Sequence, residues 1–88
     1  MLIKAQIFRC DKRKGYALAK PEEKTHLNQF GHIFIPLQFA LEHGEAIDNN
    51  DRVFLEPTPN TRRSEEAVRD PGDKGYCAKD RSVRRIRS

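Results

Sequence analysis

The chain has 88 residues, which permits one small domain with a modest core and excludes a multidomain architecture. Hydrophobic residues make up 36% of the chain and charged residues 34%, a balance that suits a small domain with a large hydrated surface better than an enzyme with a buried cleft. The 17 Lys and Arg against 13 Asp and Glu leave a net charge of +4, which favours a polyanionic partner.

Cysteine and histidine usage indicates neither a disulfide framework nor a metal site. Cys10 and Cys77 lack CxxC spacing, and His26, His32 and His43 are scattered along the chain. No stretch is apolar and long enough for a signal peptide or a membrane span. We therefore expect a cytoplasmic protein without metal or cofactor.

The first two predicted elements form a hairpin. Residues 2–10 place Ile3, Ala5 and Ile7 on one face of a strand, and the alternation breaks at residues 8–10, which predicts a bulge. The polar run 11–15 ends in Gly and predicts a turn. Residues 16–20 then form the second strand.

The later elements are shorter. Residues 21–30 are read as a charged connection and 31–35 as a third strand. A short helix is expected over 36–43, because Pro suits its first turn and Gly44 follows it. The remaining predictions are a fourth strand at 51–57, a long exposed loop at 58–73, a fifth strand at 74–83 and a basic tail at 84–88.

This order predicts an all-β fold, a five-stranded OB-type Greek-key barrel with a short helix between strands 3 and 4. An SH3-like barrel fits the same pattern, so the alternation of residues does not separate the two. The predicted domain spans 1–83, followed by the tail. Its expected core consists of Ile3, Ile7, Ile33, Ile35, Val53 and Leu55.

Two short motifs resemble those of the cold-shock domain family. Residues 14–18 (KGYAL) resemble its first ribonucleoprotein-type motif, and 33–37 (IFIPL) resemble its second. Residues 5–19 align with the family's opening hairpin without a gap, and 52–56 and 74–78 resemble its last two strands. The resemblance implies an OB-type barrel that binds single-stranded nucleic acid on the outer face of its first three strands.

Several positions depart from the family pattern. Arg9 stands where the family has Trp, Leu18 replaces an aromatic residue, Pro36 replaces His, and Leu37 replaces the final aromatic residue. A stacked base contributes about 1–3 kcal/mol, so losing two such contacts weakens binding by roughly 2–6 kcal/mol unless charge compensates. The compensating charge is expected from Lys4, Lys12, Arg13 and Lys14.

The predicted function is binding of single-stranded RNA or DNA with low sequence specificity and no catalytic activity. Tyr16 and Phe34 are the leading stacking residues. The full predicted site is Phe8, Arg9, Lys12, Lys14, Tyr16, Leu18, His32, Phe34 and Pro36. Two alternatives stay open: Tyr16 and Phe34 pack against the long loop or the tail, or Leu18, Pro36 and Leu37 form a patch that docks a protein partner.

Overall fold

The computed structural model describes residues 1–39, 46–61 and 70–86, and they form one curled β-sheet with a short α-helix. The strands are β1 (Ile3–Asp11), β2 (Tyr16–Pro21), β3 (Ile33–Pro36), β4 (Arg52–Leu55), β5 (Pro57–Pro59), β6 (Tyr76–Ala78) and β7 (Arg84–Arg85). The helix α1 spans Lys24–Phe30, and a 3₁₀ turn spans Leu37–Phe39. The strand order in the sheet is β5-β6-β3-β2-β1-β4-β7. The predicted all-β class with a β-sheet core is confirmed.

The predicted opening hairpin is present. Buried and exposed residues alternate along β1 as far as Ile7, and the register with β2 shifts between Ile7 and Arg9, which confirms the bulge. The Asp11 carboxylate accepts the backbone N–H groups of Arg13 and Lys14 at 3.1 Å and fixes the turn. Gly15 completes the turn with a φ of 76°.

The sheet curls because residues 52–59 pair with β1 at one end of the strand order and with β6 at the other. β4 pairs with β1, while β5, which follows after Glu56 alone, pairs with β6. Both β6 and β7 pair antiparallel with this stretch, so β7 returns to β4 after a short turn. The Glu56 carbonyl accepts the Lys79 N–H at 2.7 Å, and the Ser82 hydroxyl accepts the Glu56 N–H at 3.1 Å. These bonds hold the turn against the point where β4 meets β5.

The predicted core is confirmed at every position. Ile3, Ile7, Ile33, Ile35, Val53 and Leu55 are each at most 2% exposed. Burial of such side chains contributes about 1.5–3 kcal/mol each. The core also contains Phe30, Ile47, Ala78 and Val83, which the sequence pattern did not identify.

The interpretation of residues 21–30 as a connection is wrong, since α1 occupies most of it. Leu27 and Phe30 are three residues apart and therefore lie on one side of the helix. Phe30 is buried against the core, and the Tyr76 ring packs edge-on to it at 5.0 Å. In place of the predicted helix at 36–43, the structure has the 3₁₀ turn, and residues 40–43 lie outside the described ranges.

The two described ends of the predicted 58–73 loop contact the rest of the fold. Thr58 belongs to β5, and Asp73 forms an isolated bridge with Gly31. The His32 N–H also donates to the Gly72 carbonyl at 2.8 Å. Residues 62–69, with the paired arginines and glutamates, lie outside the described ranges.

The number of strands also differs from the prediction, with seven observed where five were expected. The predicted fourth strand divides into β4 and β5. The predicted fifth strand keeps β6 and then turns at residues 79–82, where Arg81 has a φ of 64°. Arg84 and Arg85, assigned to the tail from sequence, form β7 instead.

Candidate nucleic-acid interface

The outward side chains of β1, β2 and β3 form one surface, here called the binding face. Cross-strand pairing places Arg9, Leu18 and Phe34 in one row. A second row contains Tyr16 and Pro36. The binding face comprises Phe8, Arg9, Tyr16, Leu18, His32, Phe34 and Pro36, so it unites most of the predicted site residues.

Tyr16 and Phe34, the leading predicted stacking residues, contact each other. Their ring centroids are 5.3 Å apart and the planes differ by 18°, a stacked arrangement. The Arg9 guanidinium lies 6.0 Å from the Tyr16 ring, within cation–π range. Tyr16 is only 2% exposed, whereas Phe34 is half-buried. In this conformation the Phe34 ring is partly accessible and the Tyr16 ring is not, so base stacking on either ring stays a prediction, and stacking on Tyr16 would need the ring to be uncovered.

Leu18 is buried beside this aromatic pair, at 1% exposure. Tyr16 and Leu18 both lie outside the central core cluster and form a buried layer on the outer side of the sheet. The Tyr16 hydroxyl is buried and has no hydrogen-bond partner in residues 1–39, 46–61 and 70–86. A buried hydroxyl that stays unpaired costs about 1–3 kcal/mol, which would make this layer less stable than its area suggests.

The bulge presents Phe8 to solvent. Its side chain is 41% exposed, and its ring centroid lies 4.6 Å from that of His32, with the planes tilted by 55°. On the other side, His32 Nδ1 is 2.7 Å from Asp70 Oδ1. That oxygen also accepts the Gly72 N–H at 2.9 Å. Phe8 therefore offers an accessible ring whose neighbour, His32, is held in place.

Sequence reasoning missed the contribution of Asp70 to this arrangement. Asp70 falls in the segment interpreted as an exposed loop, and nothing in the local pattern pairs it with His32, far away in the chain. The Asp70 side chain is 10% exposed and that of His32 is 21% exposed. Their contact fastens the 70–73 segment to the edge of the binding face.

The predicted cationic residues all lie on the β1–β2 hairpin. Lys12 and Lys14 are exposed in its turn, and Arg9 is exposed in β1, opposite Leu18. Lys12 Nζ is 3.5 Å from Asp48 Oδ2, a solvent-exposed pair that contributes little to stability. The Asn49 N–H, and then Lys12, lower the pKa of Asp48 below its ordinary value. Positive charge therefore lies beside the Tyr16–Phe34 pair, at Arg9, and in the hairpin turn, at Lys12 and Lys14.

An open depression of about 330 Å³ adjoins Phe8. It is lined by Gln6, Phe8, Lys20, Pro21 and Glu22. Its walls therefore combine an aromatic ring with an amide, an ammonium group and a carboxylate. Gln6 and Lys20 are paired across β1 and β2, and their outward positions were the only signal for this site in the sequence.

Other kinds of site find little support in residues 1–39, 46–61 and 70–86. No group of three His, Cys, Asp or Glu side chains in these ranges is arranged to hold a metal ion. Cys10 and Cys77 are free thiols, and burial is the main cause that raises the pKa of each. No helix in the same ranges has the length and apolar character needed to cross a bilayer.

Comparisons with protein-family models, characterised proteins and solved structures give no match.

Proposed function

We propose that this protein binds single-stranded RNA or DNA on the binding face, with low sequence preference and without catalysis. The observation that carries this proposal is the exposed Phe8 ring, which lies beside the His32 ring and next to the exposed Arg9 in the chain. Exposed rings accept any base by stacking, and neighbouring cations hold the phosphates. Net positive charge adds a favourable, salt-dependent term.

Three groups of residues have distinct roles in this proposal. Phe8 and Phe34 provide the ring surfaces for bases. Arg9, Lys12 and Lys14 contact phosphates, and the Arg9 guanidinium can also stack on a base. Tyr16 and Leu18 form the buried layer that holds Phe34 in position.

The strand pairing supports an OB-type scaffold for this function. We regard β4 and β5 as one bent strand, and β6 and β7 as another, because each pair is joined by a short break along the same ladder. This grouping reduces seven strands to five and brings the ends of the strand order together. The parallel pairing of β3 with β6 fits that scheme, as does the resemblance to the cold-shock domain family.

The alternative, a protein-docking patch at Leu18, Pro36 and Leu37, has less support. Leu18 is 1% exposed, and Leu37 packs against the core. Little of the apolar surface that such a patch requires is therefore accessible. The exposed ring and cations favour nucleic acid.

Fluorescence anisotropy with labelled single-stranded RNA and DNA oligonucleotides tests the proposal at low and high salt. We expect Phe8→Ala and Phe34→Ala each to weaken binding by about 1–3 kcal/mol without unfolding the protein. Leu2→Ala is the control, because Leu2 is 55% exposed and lies off the binding face. A folded Phe8→Ala, Phe34→Ala double variant that binds like the parent refutes stacking. Absence of parent binding at low salt refutes the proposed function.

A further inference from the structure

A second cationic surface lies on the outer side of β1, β4 and β7. Cross-strand pairing aligns Lys4, Phe54 and Arg84 in one row. Two residues along, Lys20, Gln6 and Arg52 form a parallel row across β2, β1 and β4. Side chains two residues apart on a strand share a face, so both rows belong to one surface, here called the outer strip.

The outer strip is rich in exposed positive charge. Lys4, Lys20, Arg52 and Arg84 are all exposed. Arg52 donates two hydrogen bonds to the Glu22 carboxylate, at 2.9 and 3.0 Å, which fixes its position at the border of the strip. The other three cations surround a sheet surface rather than a pocket. That arrangement suits an extended polyanion better than a small ligand.

The strip also contains an aromatic ring. Lys4 Nζ lies 5.8 Å from the centroid of the half-buried Phe54 ring. Phe54 therefore provides an apolar surface between the flanking cations. Rings placed among cations are the arrangement that holds single-stranded nucleic acid.

The depression beside Phe8 joins the outer strip to the binding face. Gln6 and Lys20 belong to the strip, Phe8 belongs to the binding face, and all three line the same depression. The outer strip and the binding face are therefore continuous at this depression. Gln6 Nε2 donates one N–H to the Asn50 carbonyl oxygen at 3.4 Å, and its second N–H and its amide oxygen offer a donor and an acceptor to a base at the crossing point.

We propose that the outer strip binds the sugar-phosphate backbone of the same single strand after it leaves the binding face. The partner class rests on the proposed function. The binding face then determines contact with the first few nucleotides, and the strip adds affinity only for strands long enough to cross the depression. Affinity should consequently depend on oligonucleotide length through Lys4, Lys20 and Arg84.

The test compares single strands of about four and about twelve nucleotides, lengths within the range that one OB-type domain contacts. The variant carries Lys4→Gln, Lys20→Gln and Arg84→Gln. A control with the same net charge carries Lys24→Gln, Lys79→Gln and Arg81→Gln, three exposed cations away from both rows. Thermal melts of all three proteins check that each is folded.

We expect the parent and the control to bind the longer strand more tightly, and the strip variant to lose most of that gain. Its affinity for the short strand should match that of the control. For the longer strand, losing three phosphate contacts makes the plot of log affinity against log salt concentration shallower by about two units. The parent-to-variant affinity ratio therefore changes about 15-fold between roughly 50 and 200 mM salt.

Equal losses in the strip variant and the control overturn the inference, because net charge alone then explains them. A strip-variant loss of the same size for both lengths also overturns it. If the parent binds only the longer strand, the strip variant abolishes that binding and the Phe8→Ala, Phe34→Ala double variant leaves it unchanged, the proposed binding face and the continuous path from it are both refuted. If the parent binds neither strand, both are refuted.

Discussion

Replacing Gly31 with Ala tests how the end of α1 is fastened to the 70–74 segment. Gly31 ends α1 with φ 66° and ψ −153°, and its N–H donates to the Leu27 carbonyl. A Cβ at this position would overlap the Gly72 carbonyl oxygen and lie 2.8 Å from Lys74 Cγ. The backbone oxygen cannot move without losing the hydrogen bond from the His32 N–H.

Gly15 provides a control for an alanine at a positive φ where no overlap occurs. Its φ is 76°, and a Cβ there would meet no atom within 4 Å. Gly15→Ala therefore loses only the left-handed backbone preference, about 1–2 kcal/mol. Gly31→Ala loses more than this, because φ 66° with ψ −153° is a conformation that essentially only glycine adopts, and the overlap adds about 1–3 kcal/mol. Because 1 kcal/mol shifts the Tm of a domain this size by roughly 4–8 °C, Gly31→Ala should melt at least about 5 °C below Gly15→Ala.

Circular dichroism melts of the parent and both variants measure this difference directly. Gly31→Ala should have the lowest Tm, with Gly15→Ala between it and the parent. Variants that melt within about 2 °C of each other would refute the packing of Gly31 against Gly72.

Three further changes probe the binding face and its surroundings. Tyr16→Phe removes a buried hydroxyl that has no partner in the described part of the chain, so the free energy of unfolding in urea should stay level or rise by about 1–3 kcal/mol; a fall would mean that the hydroxyl is bonded. A Cβ in Gly72→Ala would overlap the His32 ring, so the His32 ring resonances should shift and oligonucleotide affinity should fall, whereas unchanged resonances would contradict the contact. The pKa of Asp48 is lower in the folded protein than its ordinary value of 3.8. The ionised carboxylate therefore stabilises the fold fully above that value, and this stabilisation is lost as pH falls through the native pKa. The urea midpoint of Asp48→Asn should therefore fall less than that of the parent as the pH is lowered, and an equal fall would contradict this stabilisation. Because Lys12 loses its partner, the variant should also bind oligonucleotides slightly more tightly.

The core was predictable because a strand's alternation is a local property. Ile3 and Ile7 lie on one side of β1, and the polar residues between them mark the other side, so their burial needs no knowledge of the rest of the chain. The bulge was predictable for the same reason. The alternation fails at Phe8, and a strand that pairs on both sides accommodates an extra residue only by bulging.

Features that depend on distant segments were not predictable from one sequence. Alternation places Tyr16 and Leu18 on the outer side of β2, but it does not tell whether other side chains cover that side. The contact between His32 and Asp70 joins a strand to a segment that has no periodicity of its own. Helix α1 was missed because its apolar side consists of little more than Leu27 and Phe30, too few residues for a clear helical pattern.

The parallel pairing of β3 with β6 has a consequence for the order of folding. Ile33 pairs with Tyr76 and Phe34 with Cys77, so two distant parts of the chain must meet before this ladder exists. The β1–β2 hairpin has only a tight turn to close, and such hairpins form in about 1–10 μs. The β3–β6 ladder forms more slowly, because a long loop must close before its two strands can pair. Phe34 therefore reaches its final position late, and weakening the Phe30–Tyr76 contact should speed unfolding more than it slows refolding.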